Sequence, residues 1–139
     1  MDKEVDQLLA NPYFETLAFF SVTILALIVF LAVFELVTKY KGWQEIRKGN
    51  TAVALATGGK IFGICNIFRF SIESNDTVYQ ALVWATFGFV LLLAAYFIFE
   101  FLTPGFKVDE EIEKGNNAVG FLSMIISIAL SYVVGAGVL

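Results

Sequence analysis

Four stretches of this chain run for about twenty residues with almost no charge. Thr16–Phe34 (TLAFFSVTILALIVFLAVF) has none and is fenced by Glu15 and Glu35. Gly49–Phe68 has one, Lys60. Thr77–Phe99 has none and stops at Glu100. Gly115–Leu139 has none and runs to the last residue. A helix needs about 20 apolar residues to cross the hydrocarbon core of a bilayer. Inside lipid, only helices and closed barrels satisfy their own backbone hydrogen bonds. None of the four runs shows the period-two alternation of a barrel strand. The expected fold is therefore all-α, an integral membrane four-helix bundle. Gly49–Phe68 is the expensive span, because a lysine at mid-bilayer costs about 2.5 kcal/mol or more.

Composition agrees: 58% of residues are hydrophobic and 16% charged, against about 25% charged in a typical soluble domain. The connections are short. Thr38–Lys48 and Thr103–Lys114 are polar loops, and Pro104 and Gly105 stop the third span. Phe70–Asp76 (FSIESND) reads as a polar turn, and Asp109–Ile112 as a short helical turn along the membrane surface. Residues 1–139 thus form one transmembrane domain. The start, MDKEVDQLLANPYFE, is acidic and lacks the positive region of a secretory signal, so the first span is expected to stay in the mature protein.

Short loops rich in Lys and Arg face the cytoplasm. Lys39, Lys41, Arg47, Lys48, Lys107 and Lys114 lie on one side, Lys3 and Arg69 on the other. This bias predicts both long loops in the cytoplasm and both termini outside. Tyr40, Trp43 and Phe106 suit the interfacial aromatic belt.

One phrase occurs twice. Glu35-Leu-Val-Thr38 matches Glu100-Phe-Leu-Thr103 at an offset of 65. Ile46, Lys48, Gly49, Asn50, Ala52 and Val53 match Ile112, Lys114, Gly115, Asn116, Ala118 and Val119 at an offset of 66. Two units follow, 15–72 and 77–139, each a span, a polar loop and a span. An even number of spans per unit makes the two units parallel.

These stretches, ELVTKYKGWQEIRKGNTAVALATGGKIFG and YFIFEFLTPGFKVDEEIEKGNNAVGF, resemble the small bacterial membrane proteins of the domain of unknown function 350 family, also filed as uncharacterised protein family 0719. The resemblance covers nearly the whole chain. It implies a four-span inner-membrane protein and carries no activity with it.

The doubled phrase has a local explanation. Asn50 and Asn116 are good helix N-caps, and Gly49 and Gly115 permit a sharp entry into the span. The alternative is an anion site made by two helix N-termini on one face. Glu35 and Glu100 lie about one turn before the ends of their spans, where helix dipole and desolvation both disfavour a carboxylate. Each is expected to bond the N-terminus of a neighbouring Lys-Gly-Asn helix, as a structural clamp or as a cation or proton site.

Lys60 breaks the repeat, since its counterpart is Ile126. It lies ~15 Å beyond Asn50, and an ionisable group at that depth is a candidate functional site. Glu35 and Glu100 are its expected partners, with snorkelling within the bundle as the bland alternative. Asn66 is expected to bond a neighbouring helix, and Cys65 to be a small apolar filler. Arg69 and Glu73 read as a surface pair. Ala52, Ala56, Gly59 and Gly63, then Ala81, Ala85 and Gly88, then Ser123, Ser127, Ser131 and Gly135 form small-residue faces suited to close helix contact. A homo-oligomer enclosing a serine-lined pore is the alternative.

The function classes narrow accordingly. Histidine is absent and there is one cysteine, so no metal cluster or cofactor site is expected, and no nucleophile–base pair points to an enzyme. Clustered cations for nucleic acid are lacking. The lipid bilayer is the certain partner, and no substrate is legible. Two functions remain: a structural, lipid-binding or partner-binding protein of the bacterial envelope, or a small ion or solute channel or transporter.

Overall fold

The computed structural model describes residues 7, 10–75, 77–101, 105 and 107–138. Among the described residues six helices follow in order: α1 Pro12–Val37, α2 Gly42–Arg47, α3 Thr51–Ser74, α4 Val78–Phe101, α5 Val108–Glu113 and α6 Asn117–Val138. Four of them, α1, α3, α4 and α6, are long and apolar enough to cross a membrane. Pro104, Phe106, Lys3, Asp76 and Leu139, on which some of the expectations above rest, lie outside the described residues.

The helices overrun the apolar segments. Asn11 caps α1 by accepting from the Tyr13 N–H, and Pro12 starts the helix with its fixed φ. At the far end of α3 the expected turn at Phe70–Asp76 is instead helix as far as Ser74. Polar residues hold it there. Arg69 Nε bonds Glu73 at 3.2 Å, and Asn75 Nδ2 donates to the Ser71 carbonyl at 2.8 Å. Outside the hydrocarbon core a helix needs such contacts, not apolar side chains, to continue.

α3 is the central helix. In its most apolar window 56% of residues are buried, against 17% in α1. Its largest contact is with α6, and the two run parallel. A Cβ on Gly120 would lie 2.6 Å from the Ala52 carbonyl oxygen, and one on Gly59 would lie 2.6 Å from Met124 Cα. Further along, Asn66 bonds Ser131 at 3.0 Å and Gly135 faces the Phe70 ring. Apolar side chains gain little by leaving lipid for another helix, so association rests on close packing and interhelical hydrogen bonds. The small faces provide both.

α1 and α4 complete the bundle through aromatic rings. Phe30 stacks on Phe89 with centroids 4.2 Å apart, and Phe34 meets Phe89 and Tyr96 edge-on at 5.3 and 5.9 Å. The remaining sides of α1 carry exposed Leu17, Phe20, Leu25, Ile28 and Val29, as a helix facing lipid would. Cys65 is also exposed, so it does not fill the core as expected.

The short helices α2 and α5 lie together at the end of the bundle where α3 and α6 begin. Val108 and Ile112 of α5 join Tyr40, Ala52, Val53, Ala56 and Val119 in a second apolar cluster. Tyr40 is therefore buried, not placed in an interfacial belt, whereas Trp43 is exposed.

Candidate functional site

The doubled phrase forms the same turn twice. α2 ends when the Gly49 N–H bonds the Ile46 carbonyl at 2.9 Å and the Asn50 N–H bonds that of Glu45 at 3.0 Å. α5 ends identically, Gly115 to Ile112 and Asn116 to Glu111, both at 3.0 Å. This pair of bonds requires a left-handed residue at the glycine, and φ is +89° at Gly49 and +88° at Gly115. The glycines thus terminate the short helix; the asparagines start the long one. Asn50 Oδ1 accepts from the Val53 N–H and Asn116 Oδ1 from the Val119 N–H, each at 3.3 Å.

The acids beside these asparagines are not the expected ones. Asn50 Nδ2 donates to Glu45 at 3.3 Å, and Asn116 Nδ2 to Glu111 at 3.2 Å. Glu35 and Glu100 do not form this clamp. Both are half-buried, and two short helices, the expected turn at Asp109–Ile112 and an unannounced one at Gly42–Arg47, supply the nearer carboxylates. Asn50 makes one bond more, to the Glu113 carbonyl at 2.8 Å, which ties α5 to the start of α3. Asn50→Ala should therefore lower stability by about 1–2 kcal/mol, and Asn116→Ala by about half as much. Thermal melting in detergent would check the order.

Lys60 occupies a box of three rings. It is 5% exposed. Its Nζ lies 4.9 Å from the Tyr96 ring centroid, 5.1 Å from Phe34 and 6.0 Å from Tyr40. Ring faces carry negative potential and attract an ammonium, most strongly when it is desolvated. Among the described residues no carboxylate comes within 4 Å of it. The acids whose charge acts on it are Asp109 first and Glu100 second. Glu35 is present in a different way: it shares with Lys60 the wall of a cavity of about 30 Å³. Asn66, the fourth expected member, lies nearly two turns further along α3, bonded to Ser131 and apart from this group.

Sequence reasoning also missed Asp109. It is 1% exposed. Its Oδ1 accepts the Tyr96 hydroxyl and its Oδ2 accepts the Lys39 N–H at 3.2 Å. It thereby holds α5 to α4 and to the segment after α1. Tyr40 completes the cluster. Its hydroxyl is buried with no partner among the described residues, and burial first, then the Asp109 charge, pushes its pKa well above the ordinary range. Tyr40 thus remains a neutral donor.

Comparison with known proteins decides the family. The family described as Domain of Unknown Function (DUF350) matches residues 7–138. The chain belongs to the DUF350 family. It is similar to the UPF0719 transmembrane protein YshE of Bacillus subtilis (strain 168), 58% identical over 128 residues, covering 92% of this chain and 96% of YshE. It is also similar to the UPF0719 inner membrane protein YjfL of Escherichia coli (strain K12), 24% identical over 103 residues, 74% of this chain and 76% of YjfL. No solved structure matches. This member of DUF350 is a multi-pass bacterial membrane protein with four candidate spans.

Lys60, Tyr96 and Asp109 have no like residue at the offsets of the doubled phrase. There stand Ile126, Leu31 and Trp43. The turn occurs twice; the buried polar cluster is made once.

Proposed function

We propose that this DUF350 protein is a non-catalytic component of the bacterial plasma membrane, with a structural or lipid- or partner-binding role in the envelope. We further propose that it is built from two parallel repeats, residues 15–72 and 77–139, within one domain. The observation that carries the functional reading is the α3–α6 contact. The two helices that begin after the doubled turn meet backbone to backbone at Gly59 and Gly120. A conduit between two parallel repeats would run along that seam, and close packing there favours a scaffold. Matching hydrogen bonds at an offset of 66 support the repeat.

A small ion or solute transporter is the second reading, favoured by Lys60 and Glu35 sharing one cavity. Flux separates the two. Purified protein in proteoliposomes should pass K⁺, Na⁺, H⁺ and Cl⁻ no faster than protein-free vesicles. A tenfold excess over that background, abolished by Lys60→Met, would instead establish transport. The cationic loops favour an orientation with both termini outside, and tags at each end probed by protease on intact cells test it.

A further inference from the structure

The cavity beside Lys60 has a graded wall. Trp43 at its rim is exposed, Glu35, Thr38 and Thr57 are half-buried, and Phe34, Tyr40 and Lys60 are buried. It therefore leads from the α2 end of the bundle inward to the ammonium. Its volume of about 30 Å³ exceeds the roughly 10–15 Å³ that one water needs, and a buried water needs two to four polar partners. The wall offers five polar side chains: Glu35, Thr38, Tyr40, Thr57 and Lys60. Two of them have unmet requirements. An ammonium has three donors, and the ring faces around Lys60 attract its charge without accepting a hydrogen bond. The Tyr40 hydroxyl is buried without a partner among the described residues, which is costly unless water supplies one.

We propose that this cavity is a hydrated pocket, open to the α2/α5 end of the protein and closed towards the opposite leaflet. Water in it joins Lys60 to Tyr40 and Glu35. Lys60 is thus reached by water from one side only. Beyond it, the core residues Ile64, Ile67 and Phe68 are 2% exposed or less and seal the other side. The acids whose charge acts on Lys60 are Asp109 on α5 and Glu100 on α4, and Glu35 shares the pocket wall with it, so once an uncharged side chain replaces Lys60 the pocket favours a cation over an anion.

Silver ion tests this, being a thiol-reactive cation no bulkier than water. The single native cysteine is first removed by Cys65→Ser. Lys60→Cys is then introduced in that background, with Ile64→Cys as the sealed-core control. Sealed membrane vesicles of each orientation receive AgNO₃ in chloride-free buffer. After quenching, the protein is denatured and the unreacted thiol counted with a fluorescent maleimide. The Lys60→Cys thiol should be consumed at least tenfold faster than that of Ile64→Cys, and only from the α2/α5 side. Equal rates for the two thiols, or faster reaction from the opposite side, would overturn the proposal. If Lys60→Cys does not fold, Thr57→Cys decides. It lies one turn earlier on the same face and retains Lys60, and it should react with the same sidedness.

Discussion

Gly120→Ala and Gly59→Ala should each destabilise the bundle by about 3 kcal/mol, the upper part of the range for overpacked cores. The reason is what the new methyl group meets. At Gly120 it is the Ala52 backbone, with carbonyl oxygen at 2.6 Å and Cα at 2.8 Å; at Gly59 it is Met124 Cα at 2.6 Å. A side chain could rotate away, but a helix backbone cannot. Relief requires the two helices to separate along the whole contact, which also weakens the Asn66–Ser131 bond. Gly58→Ala is the internal control. Its Cβ would meet nothing within 4 Å, so it should leave stability unchanged or slightly raised. Thermal melts of detergent-solubilised protein, followed by circular dichroism, make the comparison. Wild-type melting of Gly59→Ala would mean that α3 and α6 are not in this contact.

Asp109→Ala should cost about 3 kcal/mol, near the lower end for removing one partner of a buried charged set. It removes an acceptor from the Tyr96 hydroxyl and another from the Lys39 N–H, and it leaves Lys60 without the acid that acts on it most. Tyr96→Phe removes one hydrogen bond to a charged group and should cost about 1.5–3 kcal/mol. The informative variant is the double one. If Lys60 and Asp109 stabilise each other across the ring box, Asp109→Ala with Lys60→Met should cost less than the sum of the single changes by at least about 0.5 kcal/mol. Strict additivity would show that Asp109 serves only as a latch for α5.

What the sequence disclosed and what it concealed divide along a physical line. Spans were legible because lipid demands long uncharged runs, whatever their neighbours. The small-residue faces were legible too, since periodicity alone places Ala52, Ala56, Gly59 and Gly63 together. The ring box was not, because Phe34, Tyr40, Lys60 and Tyr96 meet only through tertiary packing. Asp109 was hidden in an acidic run, VDEEIE, that reads as a solvated face. Yet helical spacing puts Asp109 beside Val108 and Ile112, the two apolar residues of that helix, and this was a usable signal. The glutamates of the doubled turn were within reach as well. Glu45-Ile46-Arg47-Lys48-Gly49-Asn50 and Glu111-Ile112-Glu113-Lys114-Gly115-Asn116 carry the acid at the same place. Span geometry directs attention to Glu35 and Glu100, and the way the two short helices fold back onto the starts of α3 and α6 changes which carboxylates lie nearby.

The composition of the ring box also sets an order of events during synthesis. Phe34 and Tyr40 precede Lys60 in the chain, whereas Tyr96 and Asp109 follow it, Asp109 by 49 residues. At about 5–20 residues per second, the lysine waits on the order of 2–10 seconds between leaving the ribosome and the arrival of its acid. During that interval two rings and whatever water the nascent hairpin admits are its shelter. The span that anchors the finished protein is thus the one least able to settle alone, and the second half of the chain completes the environment that lets the first half remain in the membrane.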